Sequence, residues 1–230
     1  MTESPKKLRL SEQDMAQLYM QTEAALRLDA LLQGQEEENT AQIAVHDAIG
    51  GQTPDLALIS LSLCALIIAR DFPLELKDGE MGPVIRELVV SAEDNLVTVG
   101  HLWLDTSCYG IAPDMKQARP IILSIPDRLR IMASIMMELR DALEGGNEAM
   151  YRAVKTLYYQ AESHADLADK FVEPLAAKKK KSAEAKAKPA AVAKPAKKPL
   201  DQVPLPFELT RPKVGADIVT FSLFREKRGR

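Results

Sequence analysis

Residues 56–69 read LALISLSLCALIIA, set between Asp55 and Arg70, with no charge and no polar face. A helix that is apolar on every side is either enclosed by other helices or embedded in a membrane. At the helical rise these fourteen residues cover about 21 Å, short of a hydrocarbon core roughly 30 Å thick. The stretch therefore predicts the central helix of a multi-helix bundle with amphipathic helices wrapped round it.

The segments on either side carry the matching signals. Thr53-Pro54-Asp55 opens the central helix, with Thr as cap and Pro in the first turn, and Asp71-Phe72-Pro73 closes it. Upstream, Ser11-Glu12-Gln13-Asp14 begins a helix whose Met15, Leu18, Ala25, Leu28 and Leu32 recur at helical spacing as far as Gly34. Glu36-Glu37-Glu38 is read as a polar break, and a short helix is expected over residues 40–49.

Downstream, residues 77–82 read as a loop. From Pro83 onward Ile85, Leu88, Val89, Ala92, Leu96, Val99 and Trp103 fall at steps of three and four. Residues 105–120 carry Gly110, Pro113 and Pro120 and read as irregular. Ser124-Ile125-Pro126-Asp127 repeats the helix-start pattern, and a stripe of Leu129, Met132, Ile135, Met136, Leu139 and Leu143 leads to Gly145-Gly146. Asn147 caps a last helix whose apolar side holds Met150, Val154, Leu157, Tyr158, Ala161, Ala165, Ala168 and Phe171. The short joint predicts an antiparallel hairpin.

The expected fold class is thus all-α, five or six helices in residues 11–172. A disordered N-terminus over residues 1–10, a disordered Lys/Ala/Pro linker over 173–202 and an extended docking segment over 203–230 complete the chain. Low aromatic content (5%) and few glycines in 230 residues agree with helix over sheet. The opening MTESPKKLRL has no apolar run behind its charges, so a cytoplasmic protein without signal peptide or membrane span is expected. Cys64 lies in the central helix and Cys108 in a loop, which points to free thiols rather than a disulfide framework.

The net charge of −3 divides unevenly. Residues 1–172 hold 15 Lys and Arg against 27 Asp and Glu, a net of −12. Residues 173–200 hold 9 against 2, a net of +7, and residues 201–230 hold 6 against 4, a net of +2. An acidic body with a basic tail bears on partners.

Two tail features carry functional expectations. Val203-Pro204-Leu205-Pro206-Phe207 is apolar and Pro-ruled, and in residues 218–224 (IVTFSLF) Val219, Phe221 and Leu223 alternate with Thr220 and Ser222 as in a strand. Three of the five Phe in the protein lie in this last piece. Leu205, Phe207, Leu209, Val219, Phe221, Leu223 and Phe224 are therefore the expected docking residues, set against a partner protein or a neighbouring copy, with the preceding linker raising their effective concentration. Docking on the chain's own body is the plainer reading of the same residues.

The second feature is the tract around AKPAAVAKPAKKP. It resembles the low-complexity tails of linker-histone-like bacterial nucleoid proteins, over residues 176–199 and by composition alone. That resemblance implies sequence-independent phosphate contact, sensitive to salt through counterion release. It would use Lys178, Lys179, Lys180, Lys181, Lys186, Lys188, Lys194, Lys197 and Lys198. The same composition also suits a self-repelling spacer.

Catalytic patterns are weak. Glu36-Glu37-Glu38 with Glu138 and Asp141 faintly resembles the carboxylate helices of all-α nucleotide pyrophosphohydrolases, but the first cluster lacks the E-E-x-x-E spacing that would hold Mg²⁺ between facing helices. His46-Asp47, His101 with Cys108, and His164 with Asp166 lack a second ligand pair at metal spacing. No phosphate-binding glycine loop, nucleophile elbow or Cys-x-x-Cys pair is present. Met132, Met136 and Met137 read as ordinary core. The expectation is a non-enzymatic scaffold or assembly subunit without metal or cofactor, with nucleic-acid binding as the alternative.

Overall fold

A computed structural model describes residues 10–35 and 37–187. Among the described residues the architecture is all-α, without strands, and no helix is long and apolar enough to cross a membrane. The helices are α1 (Glu12–Gln21), α2 (Glu23–Leu32), α3 (Glu38–Gly50), α4 (Pro54–Asp71), α5 (Leu74–Lys77) and α6 (Gly82–Asn95). A π-helical turn π1 (Leu96–Gly100), the short α7 (His101–Trp103) and a second π-turn π2 (Leu104–Cys108) follow directly; α8 (Met115–Ala142) and α9 (Glu148–Ala187) end the body.

The central position of α4 is as expected. Buried residues lie on every side of it, from Asp55 through Leu58, Ile59, Leu61, Cys64 and Ile68 to Ala69. It packs against α2, α3, α6, α8 and α9. Its two buried serines are answered locally: Ser60 donates to Gln52 Oε1 at 2.7 Å and Ser62 to the Leu58 carbonyl at 2.7 Å. At its C-terminus Lys77 Nζ donates to the Ala69 carbonyl at 2.8 Å, satisfying one of the acceptors a helix end leaves open. Gly82 makes the next corner possible, because a Cβ there would stand 2.7 Å from the Lys77 carbonyl oxygen.

A polar chain that begins at buried Ser62 and Asn95 and ends at the surface on Asp94 links α4, α6 and α8. Asn95, 3% exposed, donates to Ser62 Oγ at 3.2 Å and accepts from Arg128 Nη1 at 2.8 Å. Arg128 also donates to Asp94 at 2.6 Å and to Ser124 Oγ at 3.0 Å. Directly after Asn95 the backbone widens into π1, and the phase of burial moves on: Leu104 is buried while Trp103 is only partly so. Gly100 lets α1 approach closely, since a Cβ there would meet Leu18 Cδ1 at 3.2 Å.

Several boundaries differ from the sequence reading. The first helix breaks at Thr22, whose buried hydroxyl donates to the Tyr19 carbonyl and whose backbone is extended. Residues 78–81 form the turn expected between helices, whereas much of 105–120, read as irregular, is helical: π2 runs to Cys108 and α8 begins at Met115. The start pattern at Pro126 lies inside α8, which Asp114 caps twelve residues earlier by accepting from the Lys116 backbone N–H at 2.9 Å. Burial of Ala118, Ile122 and Ile125 extends the apolar face back across both prolines, and the Ser124 hydroxyl supplies the Ile121 carbonyl with a donor at 2.7 Å. Tertiary burial outweighs the local proline signal here.

Asn147 does cap α9, accepting from the Met150 backbone N–H at 3.0 Å, and α8 and α9 form the expected antiparallel hairpin. Arg130 pairs with Asp169 across it, and the Arg140 guanidinium lies over the Tyr158 ring at 5.2 Å. The helix continues past Pro174 to Ala187, into the stretch read as linker from residue 173. Residues 175–187 are mostly Ala, Lys and Glu, strong helix formers when a preceding helix has already supplied the nucleus.

Truncating the centre tests this arrangement. Leu58→Ala should cost about 2–5 kcal/mol, the range for a fully buried leucine. Leu74→Ala, at a residue 68% exposed, should change stability by less than about 0.5 kcal/mol. Urea denaturation monitored by circular dichroism measures both.

Candidate functional site

The N-terminus of α4 meets the α8/α9 hairpin at a small apolar crevice with about 30 Å³ of free room, enough for a water-sized molecule. Its walls are Ile122 and Ile125 from α8 and Ala168, Phe171 and Val172 from α9, and Thr53, Pro54 and Asp55 complete it. Asp55 is the polar feature of this crevice, 6% exposed although its neighbours are mostly apolar.

Local sequence explains why a carboxylate sits there. Pro54 in the first turn of α4 and Thr53 at the N-cap fix the helix start, and an acid in the first turn faces the positive helix end. The Thr53 hydroxyl does not cap the helix, contrary to the sequence reading. It hydrogen-bonds the Asp55 side chain instead, together with the backbone N–H groups of Leu56 and Asp55. Oδ1 of Asp55 is buried with no hydrogen-bond partner. Burial pushes the carboxyl pKa above its ordinary value, and the hydrogen bonds oppose the rise without cancelling it. The crevice therefore presents apolar walls, with the Asp55 carboxylate enclosed behind them.

A larger, more open groove of about 960 Å³, including the part open to solvent, runs between α3 and α9, lined by Gln42, His46, Glu148, Tyr151, Arg152, Lys155, Thr156 and Tyr159. Gln42 donates to Thr156 Oγ1 at 3.1 Å, and Arg152 bridges Glu148 at 2.6 Å and Glu38 at 3.3 Å. Lys155 Nζ stands 5.6 Å from the Tyr151 ring centroid. Its cations are largely answered from within, so the groove is a self-satisfied surface.

The sequence candidates are distributed as follows. Leu205, Phe207, Leu209, Val219, Phe221, Leu223 and Phe224 lie outside the described residues, as do Lys188, Lys194, Lys197 and Lys198. Lys178, Lys179, Lys180, Lys181 and Lys186 fall within helix α9. Glu138 is exposed, Asp141 pairs with Arg140, and Glu38 pairs with Arg152. Among the described residues no group of three or more His, Cys, Asp or Glu gathers to hold a metal ion. His46 is on the surface beside Asp47; His164 is core, its Nδ1 2.9 Å from the Gln160 carbonyl. Met132 and Met136 are core as expected, but Met137 is 40% exposed. Both cysteines are free; burial raises the pKa of Cys64 and, less completely, Cys108.

Sequence reasoning passed over Asp55 as a boundary marker. The only signal was an acid abutting an all-apolar run; its enclosure depends on residues more than sixty positions away. Phe171 was assigned to the buried side of the last helix, yet it is 46% exposed at the crevice mouth. Comparison with protein-family models, with curated proteins and with solved structures finds no match to this chain.

The buried carboxyl has a pH signature. A pKa raised in the folded state means that the native protein binds the proton more readily than the unfolded chain does. Stability contributed by Asp55 therefore falls as pH rises from the ordinary 3.8 through the raised value. Asp55→Asn should match the parent's thermal stability most closely below this window and exceed it increasingly across it. Parallel melting-temperature curves for the two proteins from pH 3 to 8 would show that Asp55 is not desolvated. Asp14, held below its ordinary value first by the Ser11 hydroxyl and then by Tyr109, is common to both and cancels in the difference.

Proposed function

We propose that this protein is a non-enzymatic assembly subunit of the cytoplasm, an acidic helical body joined to its neighbours through its C-terminal segment. The observation carrying this reading is the pairing of two complementary parts. The body has a net charge of −12 over residues 1–172 and opens an apolar crevice beside a buried carboxylate. The chain's last 30 residues are net basic and hold Phe207, Phe221 and Phe224, three of its five phenylalanines.

The physical argument is one of surplus. Apolar side chains concentrated at one end of a chain gain free energy by leaving water, about 25 cal/mol for each Å² removed. Exposed apolar side chains on α9, Tyr159, Leu167 and Phe171, together with Ile131 and Met137 on α8, supply a surface of matching character on the body. Tethering the segment to the body it serves makes each further contact intramolecular within an assembly, which raises avidity without new contacts.

Light-scattering mass in line with size exclusion tests the reading on the full chain. The parent should run above its monomer mass of 25.4 kDa, and the triple variant F207S/F221S/F224S should fall to it. Replacing Lys178, Lys179, Lys180 and Lys181 by Gln should leave the mass unchanged. If instead the parent is monomeric and gains mass only with a DNA duplex, losing it as salt rises and on the Lys replacement, the basic tract is the functional part.

A further inference from the structure

The groove between α3 and α9, about 960 Å³ with its open part included, falls within the size range of ligand sites. Its aromatic surface is exposed and its polar groups are largely paired. Tyr151 and Tyr159 stand eight residues apart on α9, about 12 Å along the helix, and Tyr159 is 52% exposed. Arg152 is held by Glu148 and Glu38, and Gln42 is bonded to Thr156. Lys155 is the exception. Its ammonium stands over the Tyr151 ring and forms no ion pair among the described residues.

An occupant therefore gains little by bringing several charges. It gains by covering the tyrosine rings with apolar surface and by bringing one acid to Lys155. Proline suits the first demand, because its ring lies against an aromatic face and a Pro-ruled segment is already extended, so docking orders it at low entropic cost.

This chain carries such a piece outside the described residues. Residues 200–209 read LDQVPLPFEL, with Asp201 and Glu208 and no Lys or Arg. The sequence on either side has the opposite sign: residues 173–199 hold 9 Lys against 2 Glu, and residues 210–230 hold 6 Lys and Arg against 2 acids. Pro189, Pro195 and Pro199 each follow a lysine and Pro212 follows Arg211, so each would bring a cation toward Lys155. Pro204 and Pro206 follow Val203 and Leu205 instead. In a polyproline II helix residues three apart share an edge, about 9 Å from one another. Pro204 and Phe207 are such a pair, and Glu208 comes directly after them.

We propose that the α3/α9 groove is the receptor for residues 203–208 of a neighbouring copy, with Pro204 and Phe207 packed on Tyr151 and Tyr159 and the Glu208 carboxylate accepting from Lys155 Nζ. The assignment rests on the docking function proposed above, from which the choice of a neighbouring copy is taken, and it names where that segment's first part is received.

The test uses the full chain with the photo-reactive benzoylphenylalanine in place of Tyr159, light- and heavy-isotope copies being mixed before irradiation. Cross-linked peptides should join position 159 to residues 203–208 in mixed-isotope pairs. Charge reversal gives a second readout. Lys155→Glu and Glu208→Lys should each weaken self-association about two- to tenfold, the scale of an exposed ion pair lost and a like pair put in its place. The two combined should return it toward the parent's value, which a merely structural role for Lys155 would not allow. Melting curves check that each variant keeps the parent's fold.

Cross-links confined to same-isotope pairs would overturn the neighbouring copy as the source of the segment. Absence of any cross-link to 203–208, with charge reversals that do not compensate each other, would overturn the groove as receptor, while loss of assembled mass in F207S/F221S/F224S would still uphold the docking function. If the parent is monomeric, or the triple variant keeps the parent's assembled mass, the docking function fails and the receptor with it.

Discussion

Enclosure of α4 is the constraint from which the remaining structure follows. A helix with no polar face must be covered on every side, and one of eighteen residues, as here, needs several partners to do it. That requirement explains why α2, α3, α6, α8 and α9 all touch it and why the long hairpin of α8 and α9 lies across the body. It also explains the odd places. Within the cover, Ser60 and Ser62 donate to Gln52 and to the Leu58 carbonyl; at the N-terminus the Asp55 carboxylate is enclosed beside a small crevice.

Apolar burial alone would let such a bundle slide. The Ser62, Asn95, Arg128 and Asp94 chain sets a register, since a one-turn slip of α6 or α8 would strand a buried amide and a guanidinium without partners. The π-turn begins at the next residue, so the widening of the rod and the anchoring of its polar side chain are adjacent in sequence. Gly100 within that turn admits Leu18 closely, tying α1 to the same rod; Tyr109 holds the other end of α1 through Asp14 at 2.9 Å.

How much of this was legible depended on whether the signal was local. The apolar run of α4, the Ser11 cap with Asp14 and the Asn147 cap are each written in a few adjacent residues, and the structure places them as read. The break at Thr22, the passage of α8 through Pro120 and Pro126, and the π-turns are settled by packing against remote residues. Local patterns there pointed elsewhere. Asp55 is the extreme case, because its neighbours in sequence explain the helix start and only Ile122, Ile125 and Phe171 explain its burial. The composition of the tail was plain in the sequence, and the residues proposed to dock lie outside the described residues. The function is accordingly inferred from complementarity between tail and body.

Amide hydrogen exchange across a dilution series of the full-length protein tests the central claim most directly. If the C-terminal segment docks on a neighbouring copy, residues 205–224 gain protection as concentration rises. Fast exchange throughout residues 205–224 at every dilution would contradict it.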